Sequence, residues 1–293
     1  MNLYSVTQLK DLLERHGFFF KKNLGQNFLL NESTALRIAS SAFETLSHKK
    51  KTLAVEIGPG AGALTLQLSE LFDRVVAIEI DPHLIPILEE SLAGRDNVTV
   101  MNTDALRFDY KALERDFPDY EIAVCSNLPY YITSELIMRF LESEVPFASV
   151  TVLIQKEACA RLISKPGCAD YGSITAAVSY YARAEKLFLV GPGNFIPKPK
   201  VDSAVLRLIP HAHPPVEVMQ ESFFFKIIRA AFSARRKTLP NALGVALGEL
   251  FTKEEIAAAL EECGISLTER GENLSLNQFA VLSNTLCKIK DRK

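Results

Sequence analysis

Short runs rich in Val, Ile and Ala alternate with longer segments of helical pattern from about residue 53 of this chain. Such alternation is typical of a mainly parallel β-sheet with helices on its faces. The runs that we predict to be strands lie at residues 53–57, 74–80, 98–102, 121–126, 149–155, 184–190 and 203–209. An antiparallel hairpin of the last two would complete a seven-stranded sheet, so the pattern predicts an α/β, Rossmann-like fold.

Helical segments separate and follow these strands. They are predicted at residues 63–71, 83–92 and 134–142, and the first 14 residues have the pattern of a short amphipathic helix. Residues 211–215 are typical of a linker, because their prolines interrupt helices and central strands. Further helices are predicted at residues 219–233, 240–247, 253–263 and 276–288. We therefore predict a helical N-terminal extension (1–25), a Rossmann-like domain (26–210) and a small all-helical domain (211–293).

Composition excludes several classes of protein. No apolar run approaches the roughly 18 residues needed to cross a bilayer, and the N-terminus lacks the features of a secretory signal. The five cysteines are scattered and form no C-x-x-C pair, so neither a disulfide framework nor a zinc site is indicated. These features predict a soluble protein of the reducing cytoplasm without a metal. No long apolar stripe demands a partner chain, which favours a monomer.

Positive charge is concentrated in two segments, although the formal net charge is only -2. No acidic residue occurs between Arg15 and Asn31 or between Phe223 and Asn241, while both stretches contain basic residues. Such segments suit selective docking on nucleic-acid phosphates, and a solvated surface is the alternative. The residues that we predict to contact RNA are Lys21, Lys22, Lys198, Lys200, Arg229, Arg235, Arg236 and Lys237.

A glycine-rich turn follows the first predicted strand and opens a helix, as a dinucleotide-binding turn does. It contains Gly58, Gly60 and Gly62, and the acidic Glu56 precedes it inside the strand. The Glu56 carboxylate could face an ammonium group but would repel a pyrophosphate.

Two further acids lie at the ends of the next two strands, Glu79 closing one and Asp104 following the other. Glu79 lies about 20 residues beyond the turn, where a carboxylate can accept from both ribose hydroxyls, and Asp104 could accept a hydrogen bond from an adenine amine. An acidic pocket favours S-adenosylmethionine over NAD, because that cofactor carries an ammonium and a sulfonium but no phosphate. A helix cap or a surface acid is the alternative for each, and Asp81 fits a helix cap because Pro82 follows it.

The fourth predicted strand leads into Asn127-Leu128-Pro129-Tyr130, at the edge where open α/β sheets bind ligands. The Asn127 side-chain oxygen and a main-chain carbonyl near Leu128 can accept the two N–H groups of an aromatic exocyclic amine. The freed lone pair can then attack a sulfonium methyl group in line, without a strong base. Pro129 stiffens the backbone and Tyr130 offers a flat face to a base, so the motif predicts methyl transfer to a nucleobase nitrogen.

A base that enters such a pocket must leave its stack, at a cost of a few kcal/mol. Aromatic stacking recovers roughly 1–3 kcal/mol per face, and Tyr130 is the first platform. The second candidate is Phe195, at the start of a loop that prolines stiffen. A core phenylalanine at a strand entry is the alternative for Phe195.

Together these motifs resemble the ribosomal RNA adenine N6,N6-dimethyltransferase family, which belongs to the class I S-adenosylmethionine-dependent methyltransferases. The segments that carry the resemblance are 25–29, 56–62, 79–81, 127–130, 155–157, 171–172, 195–203 and 235–239. They match the bacterial members that convert two adjacent adenosines near the 3′ end of 16S RNA to dimethyladenosine. The resemblance therefore implies this activity, a role in ribosome biogenesis and the small ribosomal subunit as partner.

The resemblance also implies roles for individual residues. It implies that Tyr130 and Phe195 sandwich the target adenine, and that the helical domain helps to dock a pre-assembled small subunit. With Gly60 of the glycine-rich turn, the residues that it implies for the S-adenosylmethionine site are Asn27, Leu29, Gly58, Glu79, Asp104 and Asn127.

Three positions depart from the family pattern. Asn31 stands where an Asp is usual, Glu135 where a Pro is common, and Pro240 where the basic run often continues with Arg. These differences leave the chemistry intact and affect the RNA footprint of the segment around Arg235.

Three other functions agree less well with the sequence. Methylases that modify large-subunit RNA and confer antibiotic resistance usually carry Ile in place of Leu128. A non-catalytic RNA-binding factor of the same fold would be expected to lose the cofactor acids. A NAD dehydrogenase is disfavoured by Glu56 and by the absence of a convincing catalytic histidine in the sheet region.

Overall fold

The computed structural model describes residues 1–21 and 24–292, so the predicted RNA contact Lys22 lies outside the described residues. Its strands are β1 (Phe28–Leu29), β2 (Lys51–Ile57), β3 (Arg74–Glu79), β4 (Val98–Asn102), β5 (Tyr120–Asn127), β6 (Phe147–Gln155), β7 (Ala182–Val190), β8 (Phe195–Ile196) and β9 (Ser203–Pro210). Seven of them form one sheet in the order β4-β3-β2-β5-β6-β9-β7. The first five in this order are parallel, and β9 is antiparallel to β6. The predicted seven-stranded Rossmann-like fold is confirmed.

The register of the parallel strands aligns the ends that carry the predicted site. Ile57 of β2 lies beside Ile78 of β3, and Glu79 at the end of β3 lies beside Asn102 of β4. On its other side β2 pairs with β5, which ends at Asn127. Since carboxyl ends of parallel strands share one edge, the loops after β2, β3, β4 and β5 emerge together.

A second, two-stranded sheet was not predicted. In it β1 and β8 run antiparallel, with Phe28 beside Ile196 and Leu29 beside Phe195. Strands of two residues are too short to show the alternation by which strands are recognised. This ladder ties the segment at 25–29 to the loop at 195–203, which are far apart in sequence.

The helices are α1 (Val6–Arg15), α2 (Glu32–Phe43), α3 (Ala63–Leu71), α4 (Ile85–Ser91), α5 (Lys111–Asp116), α6 (Thr133–Leu141), α7 (Lys156–Leu162), α8 (Ser173–Tyr181), α9 (Glu221–Phe232), α10 (Leu239–Leu247), α11 (Lys253–Glu262) and α12 (Leu276–Lys290). Each predicted helix is present, whereas α2, α5, α7 and α8 were missed. Helix α5 is only six residues long. Helix α8 is rich in Ser, Thr, Val and Tyr, which are weak helix formers, so its propensity argued against a helix.

The N-terminal extension packs into the core beside the large sheet. Leu9 and Leu12 of α1 are buried in the same cluster as Leu68 of α3. The Tyr4 hydroxyl donates a hydrogen bond to the Ala63 carbonyl at 2.8 Å. Asn31, one of the departures from the family pattern, caps α2 by accepting from the Thr34 amide at 2.9 Å.

By its internal contacts the chain divides into two compact units. The first comprises Met1–Cys159 and Ala184–Pro210, and the second comprises Ala160–Arg183 and the chain from His211 onward. The second unit is helical. Tyr171 belongs to it: the Tyr171 ring packs in the helical core, and the Tyr171 hydroxyl donates to the Leu274 carbonyl at 3.0 Å. The domain limits drawn from sequence stay predictions. None of the helices among the described residues has the length and apolar character needed to span a membrane.

Close packing of the second unit leaves no room at Gly271. A Cβ atom there would lie 2.7 Å from the main-chain oxygen of Ala231 in α9. We expect Gly271→Ala to lower the free energy of unfolding by about 1–3 kcal/mol, because backbone must move to relieve the overlap. Gly193→Ala is the matched control, since Gly193 also lies in a short 3-10 turn but has open space around it. Chemical denaturation followed by circular dichroism suits this chain, which has no tryptophan; equal stability of the two variants would contradict the expectation.

Candidate active site

A cavity of about 250 Å³ opens at the carboxyl ends of the parallel strands. Predicted site residues that line it are Asn27, Gly58, Gly60, Glu79, Asp104, Asn127, Leu128, Pro129 and Tyr130. A smaller pocket of about 20 Å³ adjoins it and is lined by Leu29 and Glu56. The structure therefore brings together all the predicted cofactor residues in one unit of the chain.

The turn after β2 needs glycine for two separate reasons. Gly58 and Gly60 have φ angles of 65° and 61°, in the left-handed region that glycine adopts without strain. A Cβ atom on Gly60 would also lie 2.8 Å from the Phe28 ring. The backbone of the turn therefore lies directly against the segment that carries Asn27.

Two carboxyl groups near the cavity are buried and resist ionisation. Burial raises the pKa of Glu79 to about 7. Hydrogen bonds from the main-chain amides of Asp81, Gly60 and Ile80 lower this pKa, but by less than burial raises it. Burial raises the pKa of Glu56 to about 8, although the Thr65 hydroxyl donates to it at 2.6 Å, and the neighbouring Glu79 adds to the shift. Each group would ionise more readily beside a cation or a set of hydroxyl donors.

Asp104 is held at the cavity with one oxygen engaged by the local turn. Its Oδ1 accepts from the Leu106 amide at 2.9 Å, and Arg107 lies 3.6 Å from Oδ2. The side chain is partly exposed, so a ligand amine can reach it. Ile80 also lines the cavity and is 48% exposed, which provides an apolar surface for a flat ring. Sequence reasoning missed Ile80, whose only signal was its place directly after Glu79.

Asn127 has a fixed amide orientation. Its Nδ2 donates to the main-chain carbonyl of Asn27 at 2.9 Å. A carbonyl only accepts, so the Asn127 atom that faces it must be the nitrogen, and Oδ1 is left to accept from another group. No described hydrogen bond ends on the Leu128 carbonyl, whereas the Pro129 carbonyl accepts from Ile132 and Thr133. The arrangement can grip an amine that carries two N–H groups.

The aromatic residues differ in where they lie. Tyr130 lines the cavity, and its hydroxyl shares a hydrogen bond of 2.9 Å with the Ser203 hydroxyl. Phe195 is only 3% exposed, packs in the core cluster with Leu29, and lies outside the set of residues that line the cavity. Its position agrees with the alternative of a core phenylalanine, and its stacking role stays a prediction.

The predicted RNA contacts differ in whether their side chains already bind other groups of the protein. Lys21 donates to the buried Asp81 carboxylate at 2.9 Å. Arg235 donates to the Ala169 carbonyl at 2.6 Å and approaches Glu272 at 3.3 Å. The remaining described members are exposed: Lys198, Lys200, Arg229, Arg236 and Lys237.

Known proteins resemble this chain over almost its whole length. The model of the family "Ribosomal RNA adenine dimethylase" matches residues 17–288. Proteins named "Ribosomal RNA small subunit methyltransferase A" from Bacillus cytotoxicus and Bacillus mycoides are 44% and 45% identical to this chain, over 97% of each chain.

Two solved structures are similar over most of the chain. A dimethyladenosine transferase from Plasmodium falciparum has a TM-score of 0.72 and 27% identity, and the match covers 87% of this chain and 95% of that one. The 23S rRNA methyltransferase ErmE has a TM-score of 0.65 and 27% identity, with 89% and 99% covered.

The raised pKa of Glu56 makes stability depend on pH. The carboxyl stays protonated in the folded protein up to about pH 8 but ionises near 4.5 in the unfolded chain. Its contribution to stability is therefore complete below about pH 4.5 and is lost as the pH rises towards 8. We expect Glu56→Gln to stabilise the protein by an amount that grows between those pH values, to a few kcal/mol at most. Denaturation at several pH values measures this gain, and a gain that does not change with pH would contradict the assignment.

Proposed function

Because the chain belongs to the ribosomal RNA adenine dimethylase family, we propose that it transfers methyl groups from S-adenosylmethionine to N6 of two adjacent adenosines near the 3′ end of 16S rRNA. The product is N6,N6-dimethyladenosine, and the step belongs to ribosome biogenesis. The observation that carries the proposal is the fixed Asn127 amide, which lines the same cavity as Glu79 and Asp104.

The residues present fit S-adenosylmethionine. The donor set is acidic and neutral, with Glu79 suited to ribose hydroxyls, Asp104 to an adenine amine and Glu56 to the ammonium end. Gly58 and Gly60 line the cavity without side chains, and Ile80 offers an apolar surface to the adenine ring. When bound, this cofactor supplies an electrophilic methyl group.

The residues of the N-L-P-Y segment hold the amine that receives the methyl group. The Asn127 Oδ1 and the Leu128 carbonyl accept its two N–H groups, which withdraws the lone pair from the ring and directs it into the cavity. Tyr130 supports the face of the flipped base, and its bond to Ser203 fixes the ring. Phe195 is retained as the second platform only as a prediction from the family.

Small-subunit RNA is favoured over large-subunit RNA as substrate. The relatives with 44–45% identity carry small-subunit names, whereas the large-subunit enzyme ErmE is 27% identical. Leu128 also differs from the Ile that is usual in the large-subunit enzymes. We propose that the exposed basic residues contact the RNA, and that the protein acts as a monomer in the cytoplasm.

The role of Asn127 can be tested by one substitution. We expect Asn127→Ala to lower methylation of undermodified small subunits by at least about 100-fold, because one of two acceptors for the amine is lost. Mass spectrometry of digested 16S RNA measures dimethyladenosine. Asn97→Ala is the control, since the Asn97 side-chain amide also donates to main-chain carbonyls, those of Ser69 and Phe72, but lies at the amino end of a strand, away from the cavity. An active Asn127 variant would refute the amine-binding role, and methylation of free large-subunit RNA would refute the substrate.

Binding of the cofactor should release protons near neutral pH. The pKa of Glu79 is raised to about 7 by burial, and hydroxyl donors favour its ionised form, so binding lowers this pKa. We therefore expect the Kd to fall as the pH rises from about 6 to 8. Titration calorimetry in two buffers of different ionisation enthalpy measures the protons released. Glu79→Gln should bind more weakly and release fewer protons; an unchanged proton count in this variant would argue against the role of Glu79.

A further inference from the structure

We propose that Asp81 is a positioning residue for methyl transfer, which holds Gln26 and thereby the Asn27 carbonyl that orients the Asn127 amide. The inference rests on the proposed function for the task of Asn127. The contacts that carry it belong to this chain alone and can be tested without any substrate.

The Asp81 carboxylate makes more contacts than a helix cap requires. It caps the short turn that begins at Pro82 by accepting from the His83 amide at 3.1 Å, as its sequence predicts. It also accepts from Lys21 Nζ and Gln26 Nε2, each at 2.9 Å, and His83 Nδ1 lies 2.9 Å from its Oδ1. The side chain is fully buried. Two of these donors come from a segment about 60 positions earlier in the chain, so the carboxylate joins that segment to the end of β3.

Gln26 is held at both ends of its amide. Its Nε2 donates to Asp81, and its Oε1 accepts from the Lys21 main-chain amide at 2.7 Å. The next residue, Asn27, supplies the carbonyl that accepts from Asn127 Nδ2. Strand β1 begins one residue later and is paired with β8. The Asn27 carbonyl thus lies between two fixed points, and Asp81 determines one of them.

The charge on Asp81 matters as well as its shape. A buried carboxylate is stable only when donors satisfy it, and here Lys21 supplies the opposite charge. Hydrogen bonds to an ionised acceptor are about twice as strong as neutral ones, so an Asp holds Gln26 more rigidly than an Asn could. These bonds lower the pKa of Asp81 against the opposing effect of its burial.

Asp81 also contacts the cofactor side of the cavity, through its backbone. Its main-chain amide donates to Glu79 Oε1 at 2.8 Å. A side-chain substitution leaves this bond in place but weakens the bond to Gln26. We therefore expect turnover, which depends on the orientation of Asn127, to change more than cofactor affinity, to which Glu79 also contributes.

The first test is Asp81→Asn in the full chain. We expect kcat on undermodified small subunits to fall about 10- to 100-fold, because the amine acceptor is misplaced. The Kd of S-adenosylmethionine should change by a smaller factor than kcat, because the bond to Glu79 is made by the backbone and stays in place. Asp73→Asn is the matched control: Asp73 precedes the other end of β3, accepts from the Thr52 amide and hydroxyl at 2.8 and 2.9 Å, and lies away from the cavity. That variant should retain its kcat.

A second variant distinguishes positioning from loss of fold. The double exchange D81N/Q26E reverses donor and acceptor across the same contact and keeps one negative charge beside Lys21. We expect it to recover most of the lost kcat. If Asp81 had a purely structural role, the losses of kcat caused by the two substitutions would add, and the double variant would not recover. That result would overturn the proposal.

A spectroscopic measurement decides the question without activity. The side-chain NH2 resonances of Asn127, identified as those missing from Asn127→Ala, should shift in D81N and return towards their original positions in D81N/Q26E. Unchanged resonances in D81N would overturn the positioning role, even if kcat fell. If the unaltered protein failed to methylate small subunits, the proposed function would fail, while these resonances would still decide whether Asp81 orients Asn127.

Discussion

The site depends on the parallel register of β2 with β3 and β5. This register places the ends of three strands together, so that Gly58, Glu79 and Asn127 line one cavity although they are far apart in sequence. Side chains on a strand alternate between faces, so a slip of one residue would turn Glu79 away from the cavity. The apolar residues within the strands maintain the register because they are buried on both faces of the sheet. Packing in the strands thus determines the positions of the polar groups at their ends.

Burial of acidic groups makes the cavity selective for its ligand. Glu56 and Glu79 are almost completely removed from water, which raises the pKa of each. Burying either carboxylate in its ionised form costs free energy unless a cation or hydroxyl donors lie beside it. A ligand with an ammonium and two ribose hydroxyls meets that need, whereas a pyrophosphate would add negative charge beside both groups. Electrostatics therefore supports the choice of S-adenosylmethionine over NAD that the sequence indicated.

The sequence predicted the features that depend on neighbouring residues, and it missed the contacts between residues far apart in the chain. The seven strands could be predicted because most of them are short runs rich in apolar residues, with Glu79 and Asn127 at the ends of two strands and Asp104 just beyond a third. The β1–β8 ladder has two residues per strand and no periodicity. Asp81 was predicted to be a helix cap, which it is, but its bonds to Lys21 and Gln26 join parts of the chain that share no local signal. Nor could sequence show that Phe195 is buried.

The same long-range contacts change how the basic residues are interpreted. In the sequence all the basic residues look alike. In the structure Lys21 neutralises a buried carboxylate, and Arg235 donates to main-chain carbonyls beside Glu272. Both cations therefore contribute to the folded structure, and binding a phosphate would require breaking those contacts. Arg236 and Lys237 follow Arg235 directly, are exposed, and take part in none of the described ion pairs. Arg235 thus fixes the backbone of this segment, and its two neighbours present their charge to solvent, where an RNA phosphate can reach them.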